Sequence, residues 1–579
     1  MRRLLHFLSG YQKECILAPL FKCLEACFDL LVPLVTADII DTGIANQDVG
    51  YVMTMCVVLI VLALVGLSCS IVAQYFAARA AVGFSGRLRQ ALFARIQGLS
   101  YTQLDQQGAP TLITRMTSDI NQVQNGVNMF LRLFMRSPFV VFGAMILAFF
   151  IDWKTALIFA GVIPLLGAVV LGILYLTMPR YKKVQGGLDQ VLSIVRENLT
   201  GVRVIRAFNK EPEQQARFDG ENRRLTKLQI AVGRIAGLMN PLTYGLINLA
   251  IVVLLYVGGI QIDAGALTQG QIIALVNYMN QILVELVKLA NLIVTISKAL
   301  ACANRVADML EVPQDMEQPQ HPVTPESLGT VEFQNVGLTY QGAGGASLSG
   351  LSFSVQKGQT VGIIGGTGSG KTSLISLIPR FYDATQGRVL VDGVDVREQS
   401  AAQLRQRIGI VPQKAVLFTG TIRENLEWGA PHAREDLLWE ALKLAQAEDV
   451  VKNKPLGLEE KVEQGGQNLS GGQRQRLTIA RALVKKPEIL ILDDSASALD
   501  YATDAALRTA IRGMKNPPTT FIVSQRASSV RHADLILVLE EGHVAGMGTH
   551  EQLLEGCPVY QEIYWSQFEK EGSGHGQQK

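Results

Sequence analysis

Six long apolar stretches in the first half of the chain limit its fold more than any other feature. They are residues Ile16–Ala37, Val52–Ala78, Met129–Ile151, Thr155–Met178, Ile235–Ile262 and Gln271–Ile296. Each is long enough to cross a hydrocarbon core of about 30 Å, which takes roughly 20 helical residues. The second, fourth and fifth stretches contain no charged residue, whereas charged residues interrupt the first and the sixth. Together the stretches predict six membrane-spanning helices.

The composition of the whole chain agrees with a location in lipid. A mean hydropathy of +0.23 and a hydrophobic content of 48% are too high for a water-soluble enzyme of 579 residues. The formal net charge is only +3 and the sequence has no basic tail, so we expect no binding to nucleic acid. The seven cysteines follow no metal-ligand spacing, and we expect them to be small buried hydrophobic residues.

Charge in the connecting segments predicts the orientation. Arginine and lysine are frequent in the long connections after the second and fourth stretches, and almost missing from the other connections. By the positive-inside rule the two basic connections face the cytosol. Six crossings then place both termini, and everything after the sixth stretch, in the cytosol. We therefore expect a multi-pass protein of the cell membrane.

Composition shifts along the chain predict five regions. They are an interfacial helix at 1–15, a six-helix membrane domain at 16–300, a linker at 301–329, an α/β domain at 330–566 and a disordered polar tail at 567–579. The α/β prediction comes from short β-branched runs that alternate with helical patterns. The first residues lack the apolar core of a signal peptide, so we expect no cleaved leader there.

A glycine-rich loop in the α/β domain predicts a phosphate-binding site. The loop follows the apolar strand Thr360–Ile364 and consists of Gly365, Gly366, Thr367, Gly368, Ser369, Gly370, Lys371 and Thr372, with Ser373 opening a helix. This strand, loop and helix form a Walker A motif, in which backbone N–H groups converge on phosphate oxygens. Lys371 is expected to neutralise the β and γ phosphates, and Thr372 to offer a hydroxyl to Mg²⁺.

Two further motifs follow the Walker A loop. The apolar strand Ile489–Leu492 ends in Asp493, as in a Walker B element whose carboxylate holds Mg²⁺. Before it lies a signature pentapeptide that consists of Leu469, Ser470, Gly471, Gly472 and Gln473. With this signature, nearly the whole chain resembles the ATP-binding cassette (ABC) exporters.

The resemblance implies a fold and a set of partners. The fold is the type I ABC exporter fold, a membrane all-α six-helix domain fused to an α/β P-loop ATPase cassette, with ATP and Mg²⁺ as cofactors. In this family Tyr340 would stack on adenine, Gln413 would reach Mg²⁺ and Asp500 would lie in the loop between two cassettes. Ser470 and Gly472 would serve the nucleotide of a second half-exporter. The segments 103–119 and 197–218 resemble connections whose short coupling helices dock onto the cassettes.

Two residues depart from the family pattern in the same nucleotide pocket. Asp494 stands where the family has a glutamate that activates water, and Gln525 stands where it has a histidine near the γ-phosphate. Aspartate is one methylene shorter, and a neutral amide cannot carry the charge of an imidazole. The hypothesis is a heterodimer in which this chain hydrolyses ATP slowly and the partner has both the glutamate and the histidine. The alternatives are a homodimeric exporter and an ATP-gated channel or regulatory protein of the same fold.

The cargo is not encoded in any motif. We expect a small amphipathic substrate, a drug or a lipid, and contact with membrane lipid. Glu285 and Lys288, three residues apart in the sixth stretch, either contact cargo or neutralise each other between helices. Asp41, at the outer end of the first stretch, belongs either to an external gate or to a solvated helix end.

Overall fold

The computed structural model describes residues 2–313, 315–316, 318–326 and 329–568. The chain forms two compact units. The helical unit comprises Met1–Gln97 and Ala109–Val312, and the α/β unit comprises Gly98–Gly108 and Pro313–Lys579. Of the predicted tail at 567–579, all but the first two residues lie outside the described residues.

Long helices dominate the first 310 residues. The helices are α1 (Gln12–Asp38), α2 (Val49–Gln97), α3 (Tyr101–Gln107), α4 (Ala109–Thr114), α5 (Ile120–Leu133), α6 (Arg136–Ile151), α7 (Trp153–Ala207), α8 (Glu211–Gly237), α9 (Met239–Asp263) and α10 (Gln269–Leu310). A 3₁₀ helix at Arg2–Leu8 precedes α1, and π-helical turns at Ile39–Ile44 and Arg115–Asp119 follow α1 and α4.

Among the described residues, five helical stretches are long and apolar enough to cross a membrane. They are Val49–Gln97, Ala109–Ile151, Trp153–Ala207, Glu211–Asp263 and Gln269–Leu310, and they contain the second to sixth predicted spans. The first predicted span, α1, is not in this set because it contains too many charged residues, among them Lys22, Glu25 and Asp29. Two of these charges are paired within the helix, since the Lys22 ammonium lies 2.5 Å from the Glu25 carboxylate.

Several boundaries differ from those that the sequence predicts. Helix α10 continues to Leu310, so residues 301–310 of the predicted linker are helical, with Ala303, Val306 and Ala307 buried against the helical unit. In the fully described segment 197–218 no separate short helix is present, because the chain turns between the end of α7 and the start of α8. The sequence could not show how far helices continue beyond the apolar stretches, because helix formation does not require apolar residues.

Small residues allow the helices of the helical unit to approach closely. Ala26, Ala144 and Ala156 are completely buried. A Cβ atom on Gly126 of α5 would lie 2.2 Å from the Cβ of Ala299 on α10. Such contacts are typical of helix packing in lipid, where dispersion at short range replaces the hydrophobic effect as the driving force.

The described part of the α/β unit contains twelve strands. They are β1 (Val331–Leu338), β2 (Leu348–Val355), β3 (Thr360–Gly365), β4 (Gln386–Val391), β5 (Val394–Asp395), β6 (Ile408–Val411), β7 (Gly420–Thr421), β8 (Lys461–Val462), β9 (Ile489–Asp493), β10 (Thr519–Val523), β11 (Leu535–Glu540) and β12 (His543–Gly548). A six-stranded sheet has the order β12-β11-β3-β10-β9-β6, and all neighbours in it are parallel except β11 and β12. A four-stranded antiparallel sheet has the order β2-β1-β4-β5.

Within residues 329–568, which the structure describes, ten helices alternate with these strands. They are α11 (Lys371–Leu377), α12 (Ala401–Arg407), α13 (Ile422–Glu427), α14 (Glu435–Leu444), α15 (Glu448–Lys452), α16 (Gly471–Val484), α17 (Tyr501–Arg512), α18 (Ala527–Val530), α19 (His550–Gly556) and α20 (Pro558–Trp565). Because the carboxyl ends of parallel strands share one sheet edge, the segments after β3, β9 and β10 are brought together there.

The short helix α3 packs within the α/β unit. The ring of Tyr101 stacks on Phe381 with 4.3 Å between ring centroids. The hydroxyl of Tyr382 donates a hydrogen bond of 2.6 Å to the carboxylate of Asp105. The first predicted connection thus begins with a short helix that contacts Phe381 and Tyr382, and its role as a coupling helix stays a prediction.

Candidate nucleotide site

The glycine-rich loop between β3 and α11 forms one wall of the site. Gly370 has φ +95°, and a Cβ atom there would lie 2.8 Å from the carbonyl oxygen of Ser347. Only glycine fits this position without strain. The Lys371 ammonium donates to the carbonyl oxygens of Gly365 at 2.9 Å and Gly366 at 2.6 Å. It therefore lies inside the loop that the sequence predicts to hold phosphates.

The end of β9 brings a carboxylate to the start of α11. Asp493 is buried, and the Thr372 hydroxyl lies 3.2 Å from its Oδ2 and 3.3 Å from its Oδ1. Burial raises the pKa of Asp493, and the neighbouring Asp494 carboxylate raises it further against the opposing hydrogen bond from Thr372. Hydroxyl and carboxylate oxygens at one point suit Mg²⁺, which prefers hard oxygen ligands.

Asp494 lies in an unusual backbone conformation beside Asp493. Its φ is +45°, in the left-handed region. Its N–H donates a hydrogen bond of 3.0 Å to the carbonyl oxygen of Val523 on β10. Burial raises the pKa of its half-buried side chain, while a hydrogen bond with Gln413 and the charges of Arg526 and Lys371 lower it. The structure thus brings Gln413 and Asp494, predicted from separate motifs, into contact.

Gln525 follows β10, which lies between β3 and β9. Its side chain is exposed at a cavity of about 470 Å³ at the carboxyl edge of the sheet. The predicted residues that line the cavity are Thr367, Gly368, Ser369, Gly370, Lys371, Thr372, Ser373, Gln413, Asp493, Asp494 and Gln525. The structure therefore collects into one cavity residues that are far apart in the sequence.

Tyr340, predicted to stack on adenine, lies next to this cavity without lining it. Its hydroxyl donates a hydrogen bond of 2.9 Å to the Oγ of Ser373. Its ring meets that of Tyr382 edge-on, with 5.1 Å between centroids and 89° between planes. The adenine role of Tyr340 stays a prediction.

The signature residues lie outside the cavity. Ser470 caps α16: its hydroxyl accepts from the N–H of Gln473 at 3.3 Å, and the Gln473 side chain accepts from the N–H of Ser470 at 3.0 Å. Ser470 and Gly471 are exposed, whereas Leu469 is buried. The helix N-terminus, with its free N–H groups, therefore faces solvent and is suited to an anion. Asp500 is also exposed and caps α17 by accepting 2.8 Å from the N–H of Thr503.

Two residues that the motifs do not mark contact the segment around Gln525. The Gln567 side chain donates to the carbonyl of Gln525 at 2.7 Å and accepts from the N–H of Ala527 at 2.8 Å. The Arg526 guanidinium lies 3.3 Å from the carbonyl oxygens of Ala496 and Leu499, just before Asp500. No sequence signal marks Gln567, because its partners are backbone atoms about 40 residues away.

The remaining predicted residues lie in the helical unit. The Lys288 ammonium lies 2.9 Å from a carboxylate oxygen of Glu285, so the two residues pair as one of the two interpretations requires. Asp41 accepts a hydrogen bond of 2.8 Å from the N–H of Gly270 at the start of α10. This hydrogen bond gives Asp41 a structural role, because it satisfies an N–H group at the start of a helix. The role of Asp41 in an external gate stays a prediction.

Comparison with known proteins agrees with these motifs. The family model described as ABC transporter transmembrane region matches residues 15–286, and the model described as ABC transporter matches residues 348–497. The uncharacterized ABC transporter ATP-binding protein YfiB of Bacillus subtilis is 36% identical over 99% of this chain and 100% of its own length. The ATP-dependent lipid A-core flippase of Chromobacterium violaceum is 29% identical over 98% of this chain and 97% of its own.

A solved structure supports the fold. A bacterial Atm1-family ABC exporter with ATP bound superimposes with a TM-score of 0.80, covering 98% of this chain and 100% of the other. At 24% sequence identity, this likeness concerns the fold alone.

Proposed function

This chain belongs to the ABC exporter family, and we propose that it works as the degenerate-site subunit of a heterodimeric exporter. The family membership makes it a multi-pass membrane protein whose cytosolic cassette binds ATP and couples hydrolysis to transport. The proposal concerns the finer points, namely which pocket hydrolyses ATP quickly, what the partner contributes and what is carried.

The residues of this cavity have distinct roles toward bound ATP. The loop N–H groups and Lys371 would hold the phosphates, with Lys371 leaving the loop carbonyls that it now contacts. Mg²⁺ would supply charge neutralisation on the phosphate oxygens, and Thr372, Asp493 and Gln413 are the residues that would hold it.

The residue at the water-activating position, Asp494, is expected to limit the rate of ATP hydrolysis in this cavity. Asp494 has a rigid backbone, because its N–H donates a hydrogen bond to the carbonyl of Val523 and its carbonyl accepts one of 3.2 Å from the N–H of Ser497. The missing methylene therefore cannot be recovered by a shift of the main chain, and a misplacement of about 1 Å costs on the order of 10²-fold in rate. Gln525 can donate a hydrogen bond toward a γ-phosphate but carries no charge.

The main support for the proposal is that the two residues that depart from the family pattern and the intact signature lie at different places in the cassette. Asp494 and Gln525 line the same cavity as Lys371, whereas Ser470 stands at an exposed helix terminus outside it. In the family arrangement that terminus completes the partner's pocket. The partner therefore needs the glutamate and the histidine that this chain lacks, and its pocket carries the turnover.

The test compares equivalent changes in the two subunits. In the co-expressed pair, glutamine in place of the glutamate after the partner's Walker B aspartate should lower ATP turnover at least 100-fold. Asp494→Asn in this chain should lower it less than threefold. Asp436→Asn, on the exposed surface of α14, serves as a control for the loss of one carboxylate. Equal losses for the two pocket changes, or fast turnover by this chain alone, would favour a homodimer.

An amphipathic substrate, a drug or a lipid, is the proposed cargo. Support comes from relatives named ATP-dependent lipid A-core flippase, at 29% identity in Chromobacterium violaceum and 31% in Syntrophus aciditrophicus. Flux of a fluorescent lipid across vesicles that contain the pair tests this point. Steady ion current without vectorial flux would favour the channel alternative.

A further inference from the structure

The helical unit contains a cavity of about 490 Å³ with charged and amide side chains on its wall. Asp29 of α1, Arg136 of α6, and Glu285 and Lys288 of α10 line it, together with Gln281. Ionisable groups at membrane depth are costly, and they persist where they pair or face a polar ligand.

Three consecutive ion pairs connect the four charged residues. Lys288 pairs with Glu285 at 2.9 Å, Glu285 pairs with Arg136, and Arg136 pairs with Asp29 at 2.8 Å. Glu285 also accepts 2.8 Å from the hydroxyl of Ser137. The two inner members are well covered, with 4% of the Glu285 side chain and 12% of the Arg136 side chain exposed. Mutual neutralisation accounts for the burial of these two charges, and the Glu25 carboxylate lies 3.9 Å from the Arg136 guanidinium as well.

We call this row of four paired charges the relay. Its two outer members, Asp29 and Lys288, differ from the inner two in being partly exposed. The side chain of Asp29 is 45% exposed and that of Lys288 is 43% exposed, and both line the cavity. Each has one side-chain ion pair among the described residues, on the side of the relay. Nearby, the Oε1 of Gln281 is buried and accepts no hydrogen bond from the described residues. A purely structural relay has no need to present a half-exposed cation and a half-exposed anion to one cavity.

We propose that this cavity binds the headgroup of a zwitterionic amphiphile, with the anionic group of the ligand at Lys288 and its ammonium group at Asp29. This inference rests on the export function proposed above and names the class of its substrate. A purely cationic or anionic ligand would satisfy one end of the relay and be repelled by the other. The apolar part of the ligand has Val32 and Val284, both exposed beside the charges, to pack against.

Competition binding to the purified pair in maltoside micelles tests the proposal. A fluorescent lysophosphatidylethanolamine is the reporter, and three competitors of equal chain length are zwitterionic lysophosphatidylethanolamine, anionic lysophosphatidylglycerol and a cationic alkyl trimethylammonium. The zwitterion should compete at least tenfold better than either singly charged probe. Phosphoethanolamine without a chain should compete at least 100-fold worse than the lysolipid. Equal competition by the headgroup alone would overturn the assignment of an amphiphile.

Substitutions at the two ends should change the preference in opposite directions. Lys288→Met should weaken the zwitterion about tenfold and strengthen the cationic probe, because Asp29 remains and the repelling ammonium is gone. Asp29→Asn should weaken the zwitterion about as much and strengthen the anionic probe, because Lys288 remains and the repelling carboxylate is gone. Lys288→Arg, which keeps the charge, should retain binding, and Lys298→Met, exposed on the same helix outside the cavity, is the matched control.

A purely structural role of the relay predicts a different pattern of probe binding. If both substitutions weaken all three probes equally, the relay only packs the helices and the inference is wrong. ATP turnover of the same preparations separates this inference from the proposed function. If the probe preference is lost while the two pocket substitutions still affect ATP turnover unequally, only the headgroup site is refuted. If the two substitutions affect ATP turnover equally, the heterodimer with one slow pocket is refuted.

Discussion

Lengthening the side chain at position 494 provides the sharpest test of the slow pocket. In Asp494→Glu the carboxylate gains one methylene, and in a pair whose partner glutamate is changed to glutamine this pocket carries the remaining turnover. The backbone of Asp494 is held on both sides by hydrogen bonds to Val523 and Ser497. The extra length therefore goes to the carboxylate, which moves toward the position of the attacking water.

The expected gain follows from the position of the carboxylate. Correcting a misplacement of about 1 Å is worth on the order of 10²-fold, or about 2.7 kcal/mol of activation free energy. The φ of +45° at position 494 lies in a region that aspartate tolerates better than glutamate, at a cost of about 1 kcal/mol. That strain is present in both the ground state and the transition state, so it lowers the free energy of unfolding of the variant and leaves the predicted rate increase on the order of 10²-fold.

Phosphate release at saturating ATP measures this gain. The same substitution on an exposed helix, Asp436→Glu, is the matched control and should leave the rate unchanged. Adding Gln525→His to Asp494→Glu should increase the rate further, because both residues line one cavity. The reasoning is refuted if Asp494→Glu is no faster than its parent while Asp494→Asn abolishes the remaining turnover. That result would mean that Asp494 already stands at the catalytic distance.

Three further predictions concern single residues of the α/β unit. Ser470→Ala should lower turnover of the pair at least tenfold while photolabelling of the pocket at Lys371 by azido-ATP persists; loss of labelling would mean that Ser470 serves its own cavity. Asp493→Asn should raise the Tm of metal-free protein at pH 7, because burial raises the pKa of Asp493 and the charged form therefore costs stability above that pKa. This difference should vanish as the pH falls through the folded-state pKa, and a lower Tm at pH 7 would contradict the sign. Gln567→Ala removes two hydrogen bonds to the segment around Gln525, each worth about 1 kcal/mol. It should lower kcat several-fold without changing KM for ATP, whereas Gln561→Ala in α20 should change neither.

Local features of the chain were predictable because local residues decide them. The glycine-rich loop, its flanking strand and its helix occupy a few consecutive residues, and the left-handed φ of Gly370 needs glycine whatever surrounds it. The apolar stretches predict membrane helices because lipid forces backbone groups to bond within the segment. The signature pentapeptide, with Ser470 as a cap, likewise defines its own helix start. These elements were enough to identify the family and the fold.

The tertiary structure alone decided which distant side chains meet. Asp29, Arg136 and Glu285 come from three helices, and no periodicity in any of them indicates the others. Gln567 bonds to backbone atoms, which every residue offers, so its partners leave no trace in the sequence. Charged residues interrupt the first predicted span, and only the fold shows that several of them are paired. Ion pairs between helices depend on packing angles and distances, which the chain sets only when all its helices are in place.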